Sequence, residues 1–99
     1  MASMLRRTGS ILATGSAMTI DNDAVGFRPT QVTVINTTSR DGFEWTDTMA
    51  DASALKTVAA GTRTFATTNG ITPTATGFIL GADSDVNAAG ETLHFVALG

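Results

Sequence analysis

The chain has no cysteine, so a disulfide staple, a thiolate metal site and a cysteine nucleophile are all excluded. That sets it apart from the small secreted disulfide scaffolds, whatever its compartment. It has a single lysine, Lys56, and a single histidine, His94. Helix surfaces are usually built from Glu and Lys, which are scarce here, whereas Thr, Gly and Ala are abundant. Thr favours strands and is a poor helix-interior residue, so the composition predicts a mainly β domain.

Positive charge is also in short supply. Arg6 and Arg7 stand near the N-terminus, and residues 8–99 then carry four basic against nine acidic side chains. Such an acidic body is a poor match for a phosphate backbone or an anionic membrane surface, so neither nucleic acid nor a membrane is expected as a partner. No apolar run approaches the length of a membrane span. The stretch from Met1 to Met18 contains arginines and small residues, but Thr, Gly and Ser interrupt the apolar run that a signal peptide requires. It is expected to belong to the mature protein.

The 99 residues suit one domain, without an internal repeat or a low-complexity linker. Residues 1–9 are expected to form a flexible arm and residues 10–99 a single β domain. Ile11 to Ile20 reads as a first strand, followed by the turn cluster Asp21-Asn22-Asp23-Ala24-Val25-Gly26. In Gln31-Val32-Thr33-Val34-Ile35-Asn36, Val32 and Val34 point one way and Thr33 and Ile35 the other. Asp41-Gly42 marks a hairpin, and Phe43-Glu44-Trp45-Thr46 places its aromatics on one face. In Asp47–Ala60, Met49, Ala52, Leu55 and Val58 recur at three-residue spacing, which permits a short helix; the Thr and Asp content favours an ordered loop equally. Thr62–Thr68 and Ile71–Thr74 read as strands around Asn69-Gly70, with Pro73 implying an edge or a loop.

The last stretch organises the rest. Gly77–Gly81 reads as a short apolar strand, Ala82–Gly90 as a turn rich in Asp, Asn and Gly, and Thr92–Leu98 as a long strand buried on both faces. The sum is an all-β fold, a small β-sandwich or barrel of six or seven short strands.

Two pieces of the chain resemble a known pattern. Gly26-Phe27-Arg28-Pro29-Thr30-Gln31-Val32-Thr33-Val34 is similar to the opening "GF-x-P-x-x-V-x-V" of small virion proteins of tailed bacteriophages. Gly77-Phe78-Ile79-Leu80-Gly81, then Asn87 and Glu91-Thr92-Leu93-His94-Phe95-Val96-Ala97, resembles their closing strands. The resemblance spans most of residues 26–99, and its motifs are structural rather than catalytic. It implies a β-sandwich-like module on a capsid, tail or fibre. A free-standing module of this length resembles a capsid decoration, or cement, protein: a homo-oligomer, expected to be a trimer, that sits on the outer capsid surface against the major capsid protein. Residues 1–25 have no counterpart in the pattern, so capsid and tail locations both stay open.

Candidate sites are few. Asp83, Asp85, Asn87 and Glu91 offer oxygens at alternating positions, as a calcium loop does, but an EF-hand needs Gly at its sixth position and Glu at its twelfth. Counted from Asp83, Gly90 is eighth and Glu91 ninth, and an Asx-rich turn explains the same residues. No metal and no cofactor is expected. His94 lacks a Gly-x-Ser-x-Gly nucleophile elbow elsewhere in the chain, so no catalytic residue is assigned and the protein is not expected to be an enzyme. Trp45, among Asp41, Glu44 and Asp47, serves either as a sugar-stacking platform of a receptor-binding module or, as the preferred alternative, as a core or interface anchor. Glu44 and Asp47 are expected to be ordinary solvated acids. Arg6 and Arg7 are candidates for docking against an acidic partner. His94 and Phe95, in the closing strand, join Arg6, Arg7 and Trp45 as the expected interface residues.

Overall fold

Alternation of apolar and polar residues sets which side of each strand is buried, and the turns between strands sit where Asn, Asp and Gly cluster. The computed structural model describes residues 5–21 and 23–99. Its strands are β1 (Arg6–Leu12), β2 (Met18–Ile20), β3 (Gln31–Asn36), β4 (Asp41–Thr46), β5 (Ser53–Thr57), β6 (Arg63–Thr74), β7 (Gly77–Leu80) and β8 (Thr92–Leu98). They pair antiparallel in one sheet ordered β1-β8-β3-β4-β5-β6-β7-β2, curled into a half-barrel. No helix occurs among the described residues.

The all-β expectation is met, but the strands number eight rather than six or seven. Three local differences account for this. Ala13–Ala17 divides the expected first strand, because this segment leaves one edge of the sheet (β1) and crosses to the other (β2). The segment with three-residue spacing forms β5, where Ala54 and Lys56 turn inward and Leu55 outward, so sheet pairing with β4 and β6 overrides a helical pattern. Asn69-Gly70 does not end a strand; it lies in a bulge of β6, where the partner of β5 jumps from Ala66 to Ile71. Asn69 takes the left-handed conformation that this bulge requires, with φ 59°.

The arm expected over residues 1–9 lies outside the described residues at 1–4, and from Arg6 onward it is strand. The physical reason is that β8 offers an open edge, which β1 fills in register from Arg6 opposite Leu98 to Leu12 opposite Thr92. The β3–β4 turn also shifts. Asp41-Gly42 already belongs to β4, and the turn is Thr37–Arg40, held by the Asn36 Oδ1 accepting from the Thr38 and Ser39 amides at 2.9 and 3.1 Å. Pro73 stands beyond the last β5 pairing, so its missing N–H removes no ladder bond.

The core fills the concave side. Val32, Val34, Phe43, Trp45, Ala54, Ile71, Phe78, Leu80, Leu93, Phe95 and Ala97 come from the strands, and Ala13, Val25 and Val86 from the connections. Phe78 of β7 and Phe95 of β8 are separated by four strands in the sheet, yet their rings meet edge-on with centroids 5.7 Å apart. That contact across the bowl is what the curl makes possible, and such aromatic pairs stabilise by about 0.5–1.5 kcal/mol beyond their burial. The strand Thr92–Leu98 is therefore buried on one face only, with Thr92 and His94 exposed on the other. Gly77 opens β7 where the chain passes the main chain of β2: a Cβ there would collide with the Ile20 carbonyl oxygen.

Candidate docking surface

The sheet covers its core with one face and leaves the other outward. Register defines two outward rows. One runs Thr8, Val96, Thr33, Glu44, Leu55, Phe65; the other runs Ser10, His94, Ile35, Gly42, Thr57, Arg63. Ile35 is 48% exposed, Phe65 52% and Leu12 64%, large apolar side chains on a surface otherwise rich in Thr. They stand apart on β1, β3 and β6, so a partner would have to cover most of the outward face to bury all three.

The predicted interface residues separate into two sets. Arg6 and Arg7 lie exposed on the edge strand β1, and His94 lies exposed on the outward row between Ser10 and Ile35. Trp45 and Phe95 are core residues, 1% and 3% exposed, and present nothing to a partner. The interface expectation is corrected for these two: each sits on an inward position of its strand, as strand alternation requires. The indole N–H of Trp45 donates to the Ala50 carbonyl at 3.4 Å, so its polar end is engaged within the fold. A buried indole cannot stack on a sugar. Beside His94 stands Ser10, but its opposite neighbour is Ile35 rather than an acid that would orient the imidazole.

The Asp83–Glu91 loop closes the open side of the bowl. The Asp83 Oδ1 accepts from the Asp85 and Val86 amides at 2.9 and 3.1 Å, an Asx turn. Its other oxygen, with Asp85 Oδ2, takes the Lys56 ammonium at 2.9 and 2.6 Å. Glu91 accepts from Asn36 Nδ2 at 2.8 Å, and Asn87 is fully buried among main-chain groups. The oxygens that resembled a calcium loop are thus occupied by an ammonium, by amides and by a side-chain amide. Among the described residues, no group of three or more His, Asp or Glu is placed to hold a metal ion.

Sequence reasoning did not find Asn36 or the Lys56 pairing, and it read Asn87 as a turn or calcium-loop residue rather than as the buried side chain that ties Gly15, Ser16 and Gly81 together. The one available signal was that the chain's single lysine had a surplus of acids to meet.

Burial alone would raise the pKa of Asp83, but the Lys56 hydrogen bond and the Val86 and Asp85 amides outweigh it and hold the carboxyl below its ordinary 3.8. Burial likewise would lower Lys56, but Asp85 and Asp83 hold it above 10.5. Asp83 therefore contributes stability that is present above pH 3.8 and lost as pH falls through its lowered value. Lys56 contributes stability present below pH 10.5 and lost as pH rises through its raised value. Lys56→Met is expected to lose about 1–3 kcal/mol at neutral pH, because Asp83 keeps its charge without a counterion. Acidification through pH 3.8 should then cost the variant less than it costs the wild type; thermal melts across that range check both effects. Parallel pH dependence in the two proteins would show that the ion pair contributes nothing.

No protein-family model, curated protein or solved structure matches this chain.

Proposed function

We propose that the chain is a bacteriophage virion structural protein, a capsid decoration protein that binds the outer capsid surface and stabilises the shell. The observation that carries this reading is the uncovered outer face of the sheet, with Ile35, Phe65 and Leu12 exposed on a surface that stays outside the fold's own core. The resemblance of residues 26–34 and 77–97 to small phage virion proteins supplies the setting, with the major capsid protein as partner and a homotrimer as the working form.

Mechanistically, a small rigid module that bridges neighbouring shell subunits binds the assembled state and not the separated one. By mass action it raises the work needed to take the shell apart. Repetition over a lattice lets individually weak contacts hold, since each further contact forms at high effective concentration. The competing receptor-binding reading relied on Trp45 as a sugar platform, and that side chain is buried.

Particles assembled without this protein are expected to release their genomes at lower temperature and lower pressure than complete particles, with resistance restored when purified protein is added back. Equal resistance of the two kinds of particle contradicts a cement role. Copy number separates capsid from tail: many copies per particle support the shell, and a few support the tail.

A further inference from the structure

Residues 8–99 hold only four cations, and two of them meet at one place on the outer face. Lys56 is engaged on the concave side by Asp83 and Asp85. Arg40 and Arg63 instead line a depression of about 240 Å³ whose floor is Gly42. The depression exists because Gly42 occupies an outward position of β4 between Arg40 and Glu44, flanked across the sheet by Ile35 and Thr57. A side chain there would fill it, and a Cβ would approach the Val34 carbonyl oxygen to 2.9 Å. Among the described residues the ion pairs are those of Lys56, so both guanidiniums keep their donors for a group from outside. Asp41 also borders the depression, but it is buried and its Oδ1 is held by the Ala59 amide at 2.8 Å.

We infer that this depression receives a carboxylate side chain, Asp or Glu, carried on an extended segment of the shell subunit. The inference rests on the docking reading above and names the chemistry of the partner at that face. Guanidinium–carboxylate contacts are charge-assisted and directional, and arginine suits them better than lysine because its donors form a fixed fork. The rest of the surface favours the same occupant. On a body of net charge −3, an acidic segment is repelled elsewhere and attracted here, which fixes where the partner lands. Glu44 bars a second carboxylate from the other end of the depression, and an apolar neighbour of the bound acid lies over Ile35, which lines the depression and is exposed.

The test is a nitrogen–proton NMR titration of the labelled protein with the peptide acetyl-Val-Thr-Glu-Thr-Val-amide, against the same peptide with Gln in place of Glu. The amides of Ile35, Gly42 and Thr57 are expected to shift saturably with the Glu peptide and to lose that response with the Gln peptide. Arg63→Glu, on an exposed strand position, and Arg40→Asn should each abolish the response while the remaining spectrum stays in place. Asn is chosen because Arg40 has φ 65°, a conformation Asn tolerates. Equal shifts with both peptides, no shift with either, or an undiminished response in the variants overturns the site. Shifts at Gly42 and Thr57 on simple dilution of the protein would show that a second copy occupies the depression, which also overturns it. Protein that protects particles but ignores the Glu peptide sinks the site and leaves the docking reading standing; the converse result sinks the docking reading.

Discussion

Trp45→Ala is expected to lower the unfolding free energy by about 3–5 kcal/mol, the range for deleting a large aromatic from a closed core. For a domain whose total stability is of the order of 5–15 kcal/mol, that is enough to leave much of the population unfolded at physiological temperature. The indole is 1% exposed, stands opposite Val32 in the β3–β4 ladder and shares its buried face with Phe43. Trp45→Phe keeps a ring and gives up the bond to the Ala50 carbonyl, so its loss should be clearly smaller. Because Trp45 is the single tryptophan, intrinsic fluorescence reports on it alone: blue-shifted emission in the native state, red-shifted on unfolding. Denaturant titrations of the three proteins provide the numbers. A Trp45→Ala protein as stable as the wild type would place the indole outside the core.

Asn87→Ala is the second large effect, and it tests the closing loop. The Asn87 side chain accepts from the Gly15 amide at 3.1 Å and donates to the Ser16 and Gly81 carbonyls at 2.7 and 3.1 Å. Three segments meet on it: the β1–β2 crossing, the end of β7 and the loop itself. A group left buried without a partner costs about 1–3 kcal/mol, and truncation removes the partner of three main-chain groups at once, the half-buried Gly81 carbonyl among them. Asn87→Asp should be worse at neutral pH, since a buried carboxylate would face two carbonyl oxygens. Hydrogen exchange offers the local readout: the Gly15 amide loses its acceptor and its protection in Asn87→Ala, whereas Asn87→Asp keeps that acceptor and gives up only the two donations to Ser16 and Gly81. Unchanged stability together with unchanged Gly15 protection in Asn87→Ala would mean that the loop is held by Val86, Asn36 and Lys56 without Asn87.

Strand composition and alternation carried much of the fold into view. Val32, Val34, Phe43 and Trp45 turn inward because period-two alternation leaves them no other face, and the all-β class follows from Thr-rich runs broken by Asn, Asp and Gly. What stayed hidden was decided by pairing rather than by local preference. β5 carries no strong strand pattern and exists because β4 and β6 hold it on both sides. The first strand could not be divided from sequence, since nothing in Ala13–Ala17 announces that the chain crosses from one sheet edge to the other. Thr92–Leu98 reads as doubly buried because Val96 and Leu98 are apolar, although they sit half-buried on the outward side. The same ambiguity concealed the docking face: an apolar residue in a strand looks like core until the register says which side it is on. The depression was further out of reach, because Arg40, Gly42, Thr57 and Arg63 come from three separate segments.

The docking claim is tested most directly by a cryo-EM map of the native particle. Many copies are expected on the outer shell surface, each with the outer face of the sheet turned to the shell, Ile35 and Phe65 covered, and an acidic side chain of the shell subunit between Arg40 and Arg63. Copies confined to the tail, or copies on the shell with that face turned to solvent, would contradict it.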